Sequence, residues 1–159
     1  LLDEGCQDFR TGTPAHRLVR EDRPIDIHHI FPQAWAKKNG IPQERFDTIV
    51  NKTPLFRETN QILGGVAPSS YLKRLQNELD EYNSEHETTV ELGQVLSTHC
   101  VEIKQLEADD FDSFYEKRKE ALALLIEKKT GLKVVRGEPG EAANVSDDMD
   151  DYVSEEVNA

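Results

Sequence analysis

The apolar positions fall into two regimes. Between residues 25 and 65 they come in short runs cut by proline and glycine, whereas beyond residue 68 they recur at helical spacing. Pro24 precedes the β-prone run 25–30 and Pro32 closes it, which predicts a short strand. Residues 34–39 predict a short helix stopped by Gly40, and Pro42 opens another helical turn before Phe46. Thr48, Ile49 and Val50 form the second candidate strand, with Asn51 at its end. Pro54 then starts a helix that carries Arg57 and Asn60 and ends at Gly64 and Gly65. Strand, loop, strand and helix thus follow one another as a ββα unit over residues 25–65.

The flanks read differently. Residues 1–10 predict the end of a helix, stopped by Thr11, Gly12, Thr13 and Pro14. Pro68 and Ser69 form a capping signal ahead of Tyr71, Leu72, Leu75 and Leu79. A further helical pattern spans 88–96, with Val90, Leu92, Val95 and Leu96. A long last helix over 109–130 starts acidic, ends in Lys128 and Lys129 as the helix dipole favours, and stops at Gly131. Its apolar stripe is Phe111, Phe114, Tyr115, Leu122, Leu125 and Ile126, while Lys117, Arg118 and Lys119 read as an exposed face. After Val135 the composition turns acidic and loses large apolar groups, which predicts a disordered tail over 137–159 behind a single domain, 1–136.

Charge and cysteine usage narrow the classes. The chain begins at Leu rather than Met, as a piece of a longer protein would, and no apolar run approaches the roughly 20 residues of a membrane span. Cys6 and Cys100 stand far apart outside any CxxC context, which predicts a reduced, cytoplasmic protein. A net charge of -12 argues against nucleic acid, but the acid is unevenly spread. Residues 137–159 carry eight acidic side chains and no basic ones, and residues 1–74 carry nine acidic against eleven basic. Phosphate binding follows the local patch rather than the total.

Five histidines occur, and two stand side by side in Asp26-Ile27-His28-His29-Ile30-Phe31-Pro32. Phosphodiester cleavage needs an activated water, a charge sink for the phosphorus centre and help for the departing oxygen. We expect His29 as general base, His28 as metal ligand and Asn60 as the second protein ligand, with waters completing the shell. Asn51 is expected to brace the loop and orient His29 through a hydrogen bond. Neighbours on a strand point to opposite faces, so the two histidines meet one phosphate only where the strand ends. Asp26, two residues before His28, is expected on the same face, fixing its ring. Lys52 and Arg57 are expected to contact DNA phosphates. His16, His86 and His99 lack a partner pattern and are expected in solvent.

The wording Asp26-Ile27-His28-His29-Ile30-Phe31-Pro32, then Asn51-Lys52-Thr53-Pro54-Leu55 and Asn60, resembles the HNH nucleases. At finer grain, residues 8–130 resemble the C-terminal nuclease domain of GmrSD-type restriction proteins. The resemblance implies an α+β fold whose ββα-metal (His-Me finger) core is surrounded by helices. It also implies hydrolysis of DNA, possibly modified phage DNA, and an N-terminal ParB-like domain in the same longer chain. A divalent ion is implied, with magnesium first and manganese second. The colicin pattern has a further histidine where this chain has Gly64, which disfavours zinc and favours a more hydrated ion. The alternative reading is a catalytically silent DNA- or protein-binding module on the same fold.

Overall fold

Ile25–His29 forms strand β1, paired antiparallel with β2, Lys52–Phe56, in the computed structural model, which describes residues 1–15 and 25–136. The register sets His28 opposite Thr53 and His29 opposite Lys52. Between the strands lie α1 (Gln33–Lys38), α2 (Gln43–Phe46) and a 3-10 turn, Ile49–Asn51. Helix α3 (Arg57–Leu63) follows β2 directly and contacts both strands. Then come α4 (Pro68–His86), α5 (Leu92–Ser97), α6 (Ile103–Glu107) and α7 (Phe111–Thr130). The fold is α+β, helix-rich around a two-stranded antiparallel sheet.

Two expectations about the core segment need correction. Thr48, Ile49 and Val50 do not form a strand: Asn51 N–H closes the 3-10 turn onto the Thr48 carbonyl at 3.1 Å, and Ile49 stays 71% exposed. The β-propensity of Ile49 buries nothing here, so the local turn prevails. Pro54 does not start a helix either; it lies within β2 opposite Ile27. Each strand of a two-stranded sheet has an open edge, where a residue lacking N–H does no harm. Helix α3 begins at Arg57, with extended Phe56 before it and Gly64 at φ 54° after it.

A continuous apolar core holds the end of β1 in place. Ile30 and Phe31 are fully buried, and the Phe31 ring packs 4.8 Å from Phe114 and 5.3 Å, edge to face, from Phe111. Tyr71 on α4 donates its hydroxyl to the Ile30 carbonyl at 2.9 Å. Each fully buried side chain of this size contributes roughly 1.5–3 kcal/mol. Helix α4 is capped from a distance: Asp109, itself at φ 52°, accepts Ser69 N–H at 2.8 Å and the Ser69 hydroxyl at 2.7 Å. Ser69 is therefore the capped residue rather than the cap.

The amino-terminal segment is not a helix over 1–10. It makes one 3-10 turn, Leu2–Glu4, then an isolated bridge between Gln7 and Pro14. Asp8 drives this: its buried carboxylate accepts Arg10 and Thr11 N–H and the Thr11 hydroxyl, winding a turn. The same carboxylate accepts the Thr59 hydroxyl and so fastens the segment to α3. The aromatic start of the last helical stripe is buried as expected, but Ile126 is 51% exposed.

The chain divides into two units, Leu1–Ala123 and Leu124–Ala159. Within the second, the Glu127 carboxylate takes a hydrogen bond from Arg136 and one from Val134 N–H, which together hold its pKa down at about 2. The expected acidic tail, 137–159, and His16 lie outside the described residues. Among the described residues no helix is long and apolar enough to cross a membrane. Cys6 and Cys100 are both free thiols.

Candidate active site

The site grows from the end of β1. Asn51 is fully buried, and its side chain spends every hydrogen bond on backbone. It accepts Phe31 N–H at 2.9 Å and donates to the Phe31 and Phe46 carbonyls, both at 2.9 Å. Its own carbonyl accepts Ile30 N–H at 2.8 Å. Asn51 thus braces the loop as expected, but not through His29. The turn before β2 is locked to the residues just after the histidine pair.

Behind Asn51 stands a second buried layer. Arg118, expected on an exposed face, is only 1% exposed. It lies four residues after Phe114 and three after Tyr115, on the same helical face. Its Nη1 donates to the Val50 and Lys52 carbonyls on either side of Asn51, and its Nε to the His99 carbonyl. Burial lowers its pKa to about 10. His99 is buried too, contrary to the expectation of solvent. Its Nε2 bonds the Gln7 carbonyl at 2.7 Å and its Nδ1 the Thr53 hydroxyl at 2.6 Å. A carbonyl only accepts, so Nε2 carries the hydrogen and the Thr53 hydroxyl donates to Nδ1. Burial pushes the pKa of His99 down to about 4. His86, by contrast, is exposed and stacks on Tyr82.

In front of that layer the two adjacent imidazoles meet different neighbours. His28 Nε2 faces Asp26 Oδ2 across 3.9 Å, and Arg57 Nε lies 3.8 Å from the same oxygen. Asp26 therefore does stand on the side of His28, as the strand period requires. The gap is too long for a hydrogen bond, so the ring is not fixed by one. Asn60 lies three residues after Arg57 on α3, hence on the same side of that helix. It is half-buried, and among the described residues its side-chain amide makes no hydrogen bond. Burial lowers the His28 pKa, Asp26 opposes that, and the neighbouring His29 adds to it.

His29 turns to other partners. Its Nε2 lies 3.1 Å from Asp47 Oδ1 and 3.4 Å from the Gln33 amide nitrogen. Lys52 Nζ sits 2.7 Å from the same Asp47 oxygen. Hydrogen bonds from Lys52 first and His29 second hold the Asp47 carboxyl below its ordinary pKa. Lys52, expected on DNA phosphate, has Asp47 as its anion in this structure. Arg57 remains 62% exposed and free to reach outward past Asp26.

The donor set decides which ion suits the His28 side. A neutral imidazole, an amide oxygen and a carboxylate are the borderline and hard ligands of a hydrated divalent cation. His28 and Asp26, 3.9 Å apart, would be the two groups placed to hold such an ion. No group of three or more His, Cys, Asp or Glu side chains gathers among the described residues. The set therefore fits a weakly held, largely hydrated ion better than a closed zinc site.

Pattern reading missed Asp47, Thr53, Arg118 and the burial of His99. Asp47 was within reach: the loop between the strands carries only two acids, Glu44 and Asp47, and must fold back to the end of β1. Comparison with known proteins adds one relative. A stretch of 84 residues is 31% identical to an uncharacterized protein of Methanocaldococcus jannaschii, covering 52% of this chain and 14% of that protein. The chain thus spans a small part of the relative it matches. No protein-family model and no solved structure matches the chain.

Proposed function

We propose that β1, β2 and α3 form a ββα-metal core and that this chain is a metal-dependent HNH-type endonuclease domain acting on DNA. The observation that carries the reading is Asn51. One buried amide ties the turn leading into β2 to the residue two places past His29. Both histidines and α3 are thereby presented from one rigid piece. Rigid support with unsaturated groups in front is what a preorganised hydrolytic site requires.

The roles follow from the neighbours. His28, with Asp26 3.9 Å away and Asn60 of α3 as the second protein ligand, would hold the divalent ion, magnesium or manganese. When bound, such an ion neutralises charge on the phosphorus centre and on the departing oxygen. His29 takes the proton from the attacking water. Because His28 and His29 lean to different partners, the phosphodiester lies across the end of β1, where Ile30 turns inward, rather than over one face. Arg57 steadies a flanking phosphate. Cleavage on this plan leaves 5′-phosphate and 3′-hydroxyl ends. The location of the domain behind a ParB-like partner in a phage-defence restriction protein belongs to the same proposal.

A plasmid-nicking assay with and without magnesium or manganese tests it. Wild type is expected to nick only with metal, and His29→Ala to lose about 10²–10⁴-fold in rate with DNA affinity unchanged. Nicking retained in His29→Ala removes the assignment. DNA binding without metal-dependent nicking by wild type leaves the silent binding module in its place.

A further inference from the structure

Asp47 approaches one nitrogen of one histidine, and that selectivity has a chemical consequence. We propose that Asp47 is the positioning residue of the site: its carboxylate holds His29 as the Nε2–H tautomer and leaves Nδ1 as the nitrogen that accepts the proton. The catalytic part of this rests on the nuclease reading above; the tautomer does not.

A carboxylate can only accept, so a nitrogen 3.1 Å from Asp47 Oδ1 must carry hydrogen. Lys52 Nζ, 2.7 Å from the same oxygen, keeps that carboxylate charged. Gln33 presses the opposite demand, because an amide nitrogen 3.4 Å from Nε2 would need a lone pair there. Both cannot be met. The charged partner is closer, and charge-assisted bonds are about twice as strong as neutral ones. Turning the Gln33 amide over places its oxygen toward Nε2, where it shares the same hydrogen. Asp47 and Gln33 then both favour hydrogen on Nε2, and among the described residues no hydrogen bond reaches Nδ1.

The geometry also explains Lys52. Its position opposite His29 across the sheet brings its ammonium to Asp47 rather than outward. The ion pair fixes the Asp47 side chain, and the Lys52 ammonium also approaches the Asp47 carbonyl at 3.4 Å. The result is a chain of contacts, Lys52 to Asp47 to His29, ending on the ring.

Long-range proton–nitrogen correlation spectra of the full chain decide the tautomer, recorded above the pH range where imidazole titrates. The His29 ring is assigned by its disappearance in His29→Gln. Wild type is expected as the single Nε2–H tautomer and Asp47→Ala as a mixture of both. In the nicking assay Asp47→Ala is expected to lose about 10²-fold in kcat with KM unchanged, and Asp47→Glu to recover part of it. Asp47 is on the surface, so both variants should fold, which circular dichroism verifies. An Nδ1–H ring in wild type, an unmoved tautomer in Asp47→Ala, or an unchanged kcat overturns the proposal. Wild type that never nicks is a different failure: the catalytic role falls with the nuclease reading, while the spectrum still settles the tautomer.

Discussion

His99, in the buried layer, and His28, part-exposed near the end of β1, could hardly be used more differently. His99 has both nitrogens bonded to protein, is sealed from solvent and is held neutral by burial. His28 has a carboxylate 3.9 Å away, no hydrogen bond closing that gap and partial exposure. The contrast extends to their neighbours. Asn51 and Arg118, on the inner side, place five side-chain donor contacts on backbone carbonyls. Asn60 and Arg57, on the outer side, keep unspent polar capacity. Bonding capacity is used up where shape must be fixed and left open where a ligand has to be met. Substitutions on the inner side should therefore cost stability, and those on the outer side should cost function.

The largest effect should come from Asn51→Ala. It strands Phe31 N–H and two carbonyls in a site with no solvent access. Each buried polar group left unpaired costs about 1–3 kcal/mol, and partial relaxation brings the expected loss to about 3–5 kcal/mol. Urea unfolding monitored at Trp35 measures it. A loss under about 1 kcal/mol would erase the distinction between the two sides, because Asn51 would then be no more structural than Asn60.

Next in size is a pH effect carried by His99 on the inner side. His99 has a folded pKa of about 4, below its ordinary value of 6.5. Between those values the unfolded chain binds a proton that the folded chain refuses, so stability falls as pH drops from 6.5 toward 4 and is fully present above that window. The whole difference amounts to about 3 kcal/mol, and about 2 kcal/mol of it is lost by pH 5. His99→Gln replaces the imidazole with a group that does not titrate. Urea midpoints of wild type should fall more steeply from pH 7.5 to 5 than those of the variant. Parallel curves would mean that His99 is not held neutral.

How much of this was visible in the chain divides along the same line. Outer groups on β1 and α3 announced themselves through spacing, as Asp47 on the loop did not: Asp26, His28 and the strand period are local facts, as is the three-residue step from Arg57 to Asn60. Inner groups depend on contacts between distant segments. Thr53 meets His99 across forty-six residues and Arg118 meets Val50 across sixty-eight, and no local pattern encodes such pairings. Arg118 was misread because a basic triplet suggests solvent, although its place three and four residues beyond two buried aromatics put it on the apolar face. Pro54 and Ile49 misled for the same reason. Helix-start and strand propensities are weak against an open sheet edge and a buried asparagine that demands a turn.

The smallest and sharpest effect separates Arg57 from Lys52. Both are basic residues beside the motif, but Lys52 is 2.7 Å from Asp47 whereas Arg57 touches Asp26 only at 3.8 Å and is 62% exposed. An exposed ion pair of that kind contributes roughly 0–1 kcal/mol, so Arg57→Ala should leave the urea midpoint nearly unmoved. If Arg57 reaches phosphate, the salt dependence of DNA binding should lose about one unit of slope. Lys52→Ala should change that slope less, because its charge is already answered by Asp47. Equal slope changes in the two variants would show that the Lys52–Asp47 pair opens to admit DNA, and the division between structural and ligand-facing charges would then have to be drawn outside Lys52.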